Sequence, residues 1–212
     1  MTACHNEGKD ILGFEVECEA LQEGKLTVEI SFPYGSPEIT ASDFTCPEKH
    51  QTEKIREAAG RLLLKRTLDR DTFYVEIEAE EAALELFPEE HRVVITAKGG
   101  KLDFSVAFGK TAGKAQAVSA EEVLKASGEG WKNYWEKGGI IRLNQSKDKR
   151  AMELERRIIL SQYLMAALVE PQRFAGQKLK MVQRAPAGGR GKCGKKRLQG
   201  SQMAENDCHR RH

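Results

Sequence analysis

From Ile11 to Phe108 the apolar residues recur mostly at every second position, the spacing that sends alternate side chains to opposite faces of a strand. Phe14, Val16 and Cys18 fall on one face, with Glu15, Glu17 and Glu19 on the other. "KLTVEISFP" repeats the pattern with Leu26, Val28, Ile30 and Phe32, and "RLLLKRTL", "TFYVEIEAE", "HRVVITA" and "KLDFSVAF" continue it. Pieces such as "LDRD" and "AKGGK" read as turns between the runs. Short strands with one polar face and short connectors predict an antiparallel sandwich and argue against a parallel α/β sheet.

One segment breaks the rhythm. "FPYGSPEITASDFTCPEKHQTEKIREAAG" is long and irregular, with a brief helical option near "EKIREAA". Long loops on sheet scaffolds often carry function, which makes Tyr34, Asp43 and His50 candidates. The plainer expectation is that Asp43 is a turn or cap residue and that the other two make local hydrogen bonds.

After Gly113 the period changes. Ser119 followed by Glu122 is a capping box that opens a helix, and Val123, Leu124, Trp131, Tyr134 and Trp135 follow at helical spacing. Gly128 and Gly130 each cost about 1 kcal/mol relative to Ala inside a helix, so a break or kink is expected there. The rings of Trp131, Tyr134 and Trp135 have flat apolar faces suited to the C–H faces of a sugar. Aromatic stripes at this spacing more often serve burial, which here means packing the helix onto the sheet. "SKDKRAMELERRIILSQYLMAALV" is the strongest helix in the chain. From Ile158 to Leu168 it is apolar nearly all round, as in a helix that other elements surround, and nothing after Val169 has the pattern to surround it.

Charge divides the 212 residues unevenly. Residues 170–212 hold eleven Lys/Arg against Glu170, Glu205 and Asp207, a net +8; with +2 overall, residues 1–169 carry −6. An acidic body with a basic tail points to an arm for an acidic partner. No apolar run approaches the ~20 residues of a membrane helix, and "MTACHNEGKD" has no basic or apolar region of a secretory leader. Five scattered cysteines do not form a disulfide framework and read as buried or free thiols. No cofactor motif occurs.

Three readings compete for the tail. A zinc site would use Cys193, Cys208, His209 and His212, but the spacing lacks the close Cys pairs of structural sites, so no metal is assigned. A nucleic-acid arm would rest on Lys195, Lys196 and Arg197, yet no aromatic follows Phe174 to stack a base, which disfavours it. The third reading is a shifted frame. Taking the last two bases of each codon with the first of the next, Met203-Ala204 can encode only Trp, and Arg197 to Asn206 can encode Gly-Tyr-Lys-Gly-Ala-Arg-Trp-Pro-Lys-Met. On that reading the tail's charge is incidental and its low apolar content leaves it disordered.

"WKNYWEKGGIIRL" and "KRAMELERRIILSQYLMAAL" resemble the entry into the helical barrel of six-hairpin glycosidase-like proteins, relatives of glycoside hydrolase families 65 and 95. "EGKLTVEISFPYGSPEITASDFTCPEKHQTE" resembles the late strands of the sandwich that precedes that barrel, and "TACH" a strand inside it. The shifted-frame string is similar to a stretch further into the barrel. The resemblance covers residues 2–169. It implies a mostly β chain with α: an incomplete, galactose-mutarotase-like antiparallel β-supersandwich over 1–113, a linker helix region over 114–147, the first helix of an (α/α)6 barrel over 148–169, and a foreign basic tail over 170–212. It also implies that Met1 is an internal start, so an unpaired sheet edge is expected and the compartment of the parent is not readable.

For such proteins the resemblance implies action on glycosidic bonds, with an acid and a base carboxylate supplied by the barrel. The matching catalytic positions are absent from this sequence, so no catalytic residue is assigned; Trp131, Tyr134 and Trp135 remain the carbohydrate-binding candidates. Carbohydrate is the expected partner of the intact parent, and no obligate protein partner is legible. A reading of a different class is a β-sandwich binding module whose basic C-terminal arm holds nucleic acid or another acidic partner.

Overall fold

The computed structural model describes residues 1–5, 9–36, 42–138, 140–169 and 178–183. In chain order the elements are β1 (Thr2–His5), β2 (Ile11–Glu17), α1 (Glu19–Gln22), β3 (Leu26–Ser31), β4 (Tyr34–Gly35), β5 (Ser42–Asp43), β6 (His50–Ala58), β7 (Arg61–Leu68), β8 (Asp71–Ala79), β9 (Ala82–Phe87), β10 (Arg92–Ala97) and β11 (Lys101–Gly109), followed by α2 (Ala120–Lys137), α3 (Ala151–Val169) and β12 (Lys178–Gln183). The chain is mostly β, with antiparallel sheets and a few helices.

Six strands form one sheet in the order β1-β2-β11-β8-β7-β6, and four form a second in the order β12-β3-β10-β9. The period-two residues explain what joins them. Phe14, Val16, Leu62, Leu64, Val75, Ile77, Leu102, Phe104 and Val106 of the larger sheet share one apolar cluster with Val28, Ile30, Val93 and Ile95 of the smaller. Phe14 and Phe104 stack at 4.7 Å across β2 and β11. Each such side chain contributes roughly 1.5–3 kcal/mol by leaving water.

β11 is buried on both faces. Leu102, Phe104 and Val106 enter the main cluster, while Ala107 joins Ile11, Ala117 and Val123 in a second one beneath α2. Ser105 on that face donates to the Val118 carbonyl. Gly13 of β2 lets the helix come this close: a Cβ there would lie 2.8 Å from Val123 Cβ.

Ser119 caps α2 as its motif predicts, accepting from the Glu122 amide. The break expected at Gly128 and Gly130 does not occur, since α2 runs unbroken over 18 residues. Docking through Ala120 and Val123 at one end and ring packing at the other offset the glycine cost. The helical option at "EKIREAA" is also overturned. These residues lie in β6, whose ladder with β7 supplies hydrogen bonds that an isolated one- or two-turn helix could not match. A bulge between Lys54 and Arg56 leaves Ile55 half exposed on that edge.

The described residues of the tail are not disordered. Lys178–Gln183 form β12, paired antiparallel with β3 from Lys178↔Ser31 to Gln183↔Leu26. The Leu179/Met181 alternation in "KLKMVQ" is the strand signal that the net charge obscured. The remainder of 170–212, including Cys193, Cys208, His209 and His212, lies outside the described residues.

Candidate functional site

Two regions hold the candidate residues, and they are built differently. The first is the helical pair. Trp131 and Tyr134 of α2 reach α3, and none of the three rings is among the buried residues of the helix, which corrects the expectation that they pack it onto the strands. Small residues make the sheet contact, because only Ala120 and Val123 are buried in α2. Trp131 stacks on Trp135 at 6.1 Å, meets Tyr134 edge-on at 5.6 Å and lies 5.1 Å from Tyr163 of α3. The Tyr134 hydroxyl donates to the Gln162 carbonyl at 3.2 Å, and Glu155 accepts from the Leu143 amide. All three predicted rings remain half exposed.

The outer side of α3 is unusual for a helix on a folded body. Met152, Leu154, Leu160, Leu164 and Met165 are 64, 52, 44, 42 and 61% exposed. Its inner stripe, Ala151, Glu155, Ile158, Ile159 and Gln162, is buried or half-buried. The apolar character read all round this helix is therefore used on one side only.

The second region lies at one end of the sheets, where the irregular loop returns to β6. Tyr34 and Asp43 are register partners across β4 and β5, and the Tyr34 ring lies 5.9 Å from His50. The three loop candidates are thus brought together. Asp43 acts as the turn residue expected of it: its Oδ1 accepts from the Thr45 hydroxyl at 2.6 Å and the Thr45 amide at 2.7 Å, bonds that hold its carboxyl below the usual range. Tyr34 donates to Asp69 Oδ2 at 2.6 Å, and this bond pushes its phenol up. The Lys49 ammonium sits 5.7 Å from the Tyr34 ring centre.

Beneath Tyr34 lies a cluster that sequence reasoning missed. Arg66 is fully buried. Its Nη1 donates to Thr52 Oγ1 at 2.5 Å and approaches His91 Nδ1 at 3.3 Å. Nη2 donates to His50 Nδ1 at 2.8 Å and to the Phe32 carbonyl at 3.3 Å. The His50 and His91 rings stack at 3.7 Å, and His91 Nε2 is 2.8 Å from the Pro47 carbonyl. Burial, then the Arg66 and His91 charges, push His50 down to about 4, and burial alone brings Arg66 to about 10. His91 is also lowered, chiefly by burial. The signal was present in "RLLLKRTL". Leu62, Leu64 and Arg66 share one strand face, so period two places an arginine in an inward row.

Among the described residues no group of three or more His, Cys, Asp or Glu is placed to hold a metal, and Cys4, Cys18 and Cys46 are free thiols. No described helix is long and apolar enough to cross a membrane. No family model matches this chain, and comparison with curated proteins and with solved structures finds no match.

Proposed function

We propose that this chain is part of a carbohydrate-active protein of the six-hairpin glycosidase-like class, acting in its intact form on glycosidic bonds. The observation that supports the reading is the outer face of α3: Leu160, Leu164 and Met165 are exposed on a helix that follows a β body and a linker helix. Large apolar side chains in a contiguous exposed row belong against another element, and in a helical barrel that element is the neighbouring helices. On this reading the β body is a scaffold and α2 a linker. The acid and base carboxylates come from barrel helices that this sequence does not supply.

The test has two arms. The purified chain is offered disaccharides with and without inorganic phosphate, and reducing sugar or sugar phosphate is measured; no turnover above background is expected. The encoding DNA is then read beyond the codon of Leu168 in the alternate frame. An open frame rich in Trp, His and carboxylates supports the proposal once the extended protein cleaves a disaccharide. Turnover by the short chain, or a frame that closes at once, overturns it.

A second reading rests on the half-exposed rings. Trp131, Tyr134, Trp135 and Tyr163 form a partly exposed group of rings in mutual contact, and such faces can stack on sugar C–H groups. Tryptophan fluorescence titrated with oligosaccharides checks this, with a saturable change lost in Trp131→Ala as the supporting result.

A further inference from the structure

Arg66, His50, His91 and Thr52 come from two strands and one turn, and no carboxylate hydrogen-bonds to this set among the described residues. The guanidinium has donors and no acceptor, so any group that bonds to it must offer a lone pair. His50 Nδ1, 2.8 Å from Arg66 Nη2, therefore carries no proton. Thr52 Oγ1 accepts from Arg66 and has its own hydrogen left for His91 Nδ1, 2.8 Å away. His91 then keeps its proton on Nε2, aimed at the Pro47 carbonyl. One buried cation thus fixes both imidazoles in the neutral form.

These bonds tie together pieces distant in sequence. His91 bonds to the Pro47–Lys49 turn through its ring, and its carbonyl accepts from the Phe32 amide at 2.9 Å. Its left-handed backbone, φ 48° and ψ 44°, closes the Pro88–Glu90 turn. His50 begins β6, and its ring supports Tyr34.

We propose that this cluster is an acid-sensitive latch: with both imidazoles neutral it fastens the Pro47–Lys49 and Pro88–His91 turns over one end of the sheets, and protonation of His50 unfastens them. A proton on His50 Nδ1 removes the acceptor of Arg66 and sets a second cation 2.8 Å from the first and face to face with His91. The surroundings do little to compensate. Lys49 adds positive charge above Tyr34, Asp69 is engaged by the Tyr34 hydroxyl, and Glu89 acts on His91 from the turn.

The sign follows from the direction of the shifts. Both histidines are lowered, so the closed form binds protons less readily than the open one. The closed form is fully favoured above the ordinary histidine value of ~6.5 and loses ground as pH falls toward about 4, where His50 itself titrates.

Amide hydrogen exchange on the full chain between pH 7 and pH 5, corrected for intrinsic rates, tests the latch. For His50 alone the opening equilibrium should rise roughly twentyfold, read as lost protection at Phe32 and Thr52, with the β8 and β11 amides unchanged. His50→Gln, whose amide oxygen can still accept from Arg66, should abolish most of that dependence, and His91→Gln should reduce it. Should either variant fail to fold, the ring-carbon shift of His50 in the unaltered chain decides. Titration near 4 supports the proposal, whereas titration near the ordinary value, protection insensitive to pH, or a loss spread evenly over all strands overturns it.

Discussion

The end of the sheets around Arg66 and the outer face of α3 are opposites. At Arg66 a charged group is sunk into the body and bonded from three segments, the start of β6, the Phe32 carbonyl and His91. On α3 hydrophobic groups stand in solvent, on a helix that meets the rest through the Trp131–Tyr163 ring contact and the bonds at Gln162 and Glu155. A buried cation is tolerated where its neighbours offer acceptors, as they do for both terminal nitrogens of Arg66 though not for its Nε, whereas a large exposed apolar face marks a surface open to association. The β body therefore buries a charge that its own strands bond, and the helical pair exposes apolar groups to solvent.

Substitution should separate the two regions. Arg66→Ala strands the Thr52, His50 and Phe32 partners in a dry interior and should cost on the order of 3–5 kcal/mol, read as a lowered urea midpoint of the β signal. A loss under 1 kcal/mol would remove the contrast. Gly13→Val drives a side chain into Val123 and should cost about 1–3 kcal/mol, loosening α2 while the main core persists; tryptophan emission and far-ultraviolet dichroism distinguish the two.

Glu76→Gln comes next. Its carboxylate is buried, 2.9 Å from Arg56 and 2.8 Å from the Ala117 amide, so about 1–2 kcal/mol should be lost in denaturant titration, most of it at the junction between β8 and the segment leading into α2. The smallest effect is expected on α3. Leu164→Lys and Met165→Gln should change stability by less than ~0.5 kcal/mol while raising the concentration at which the chain stays monodisperse in light scattering. A large destabilisation there would mean that this face is already packed.

How far the sequence foretold this depended on whether a signal was local. Period two located β2, β3, β7, β8, β10 and β11 and their inward rows, because strand geometry repeats within a few residues. β9 was missed: "AALELF" is rich in good helix formers, and only its pairing with β10 makes it a strand. β6 was misread for the same reason. At the loop candidates the chemistry of Asp43 was legible, because its partners Thr45 and Cys46 are its neighbours. The partners of His50 were not, since Arg66 and His91 lie 16 and 41 positions away and meet only in three dimensions.

The pairing of β12 with β3 bears on how the chain is made. Lys178 is synthesised 147 residues after its register partner Ser31. Closing so long a loop costs entropy that grows only slowly with length, but it cannot begin before β12 leaves the ribosome. Throughout translation the outer edge of β3 is an open ladder, able to accept any extended strand that passes. The nascent chain is thus most vulnerable to mispairing during the interval when its body is otherwise folded, and slowing elongation after α3 should lengthen that exposure without altering the native state.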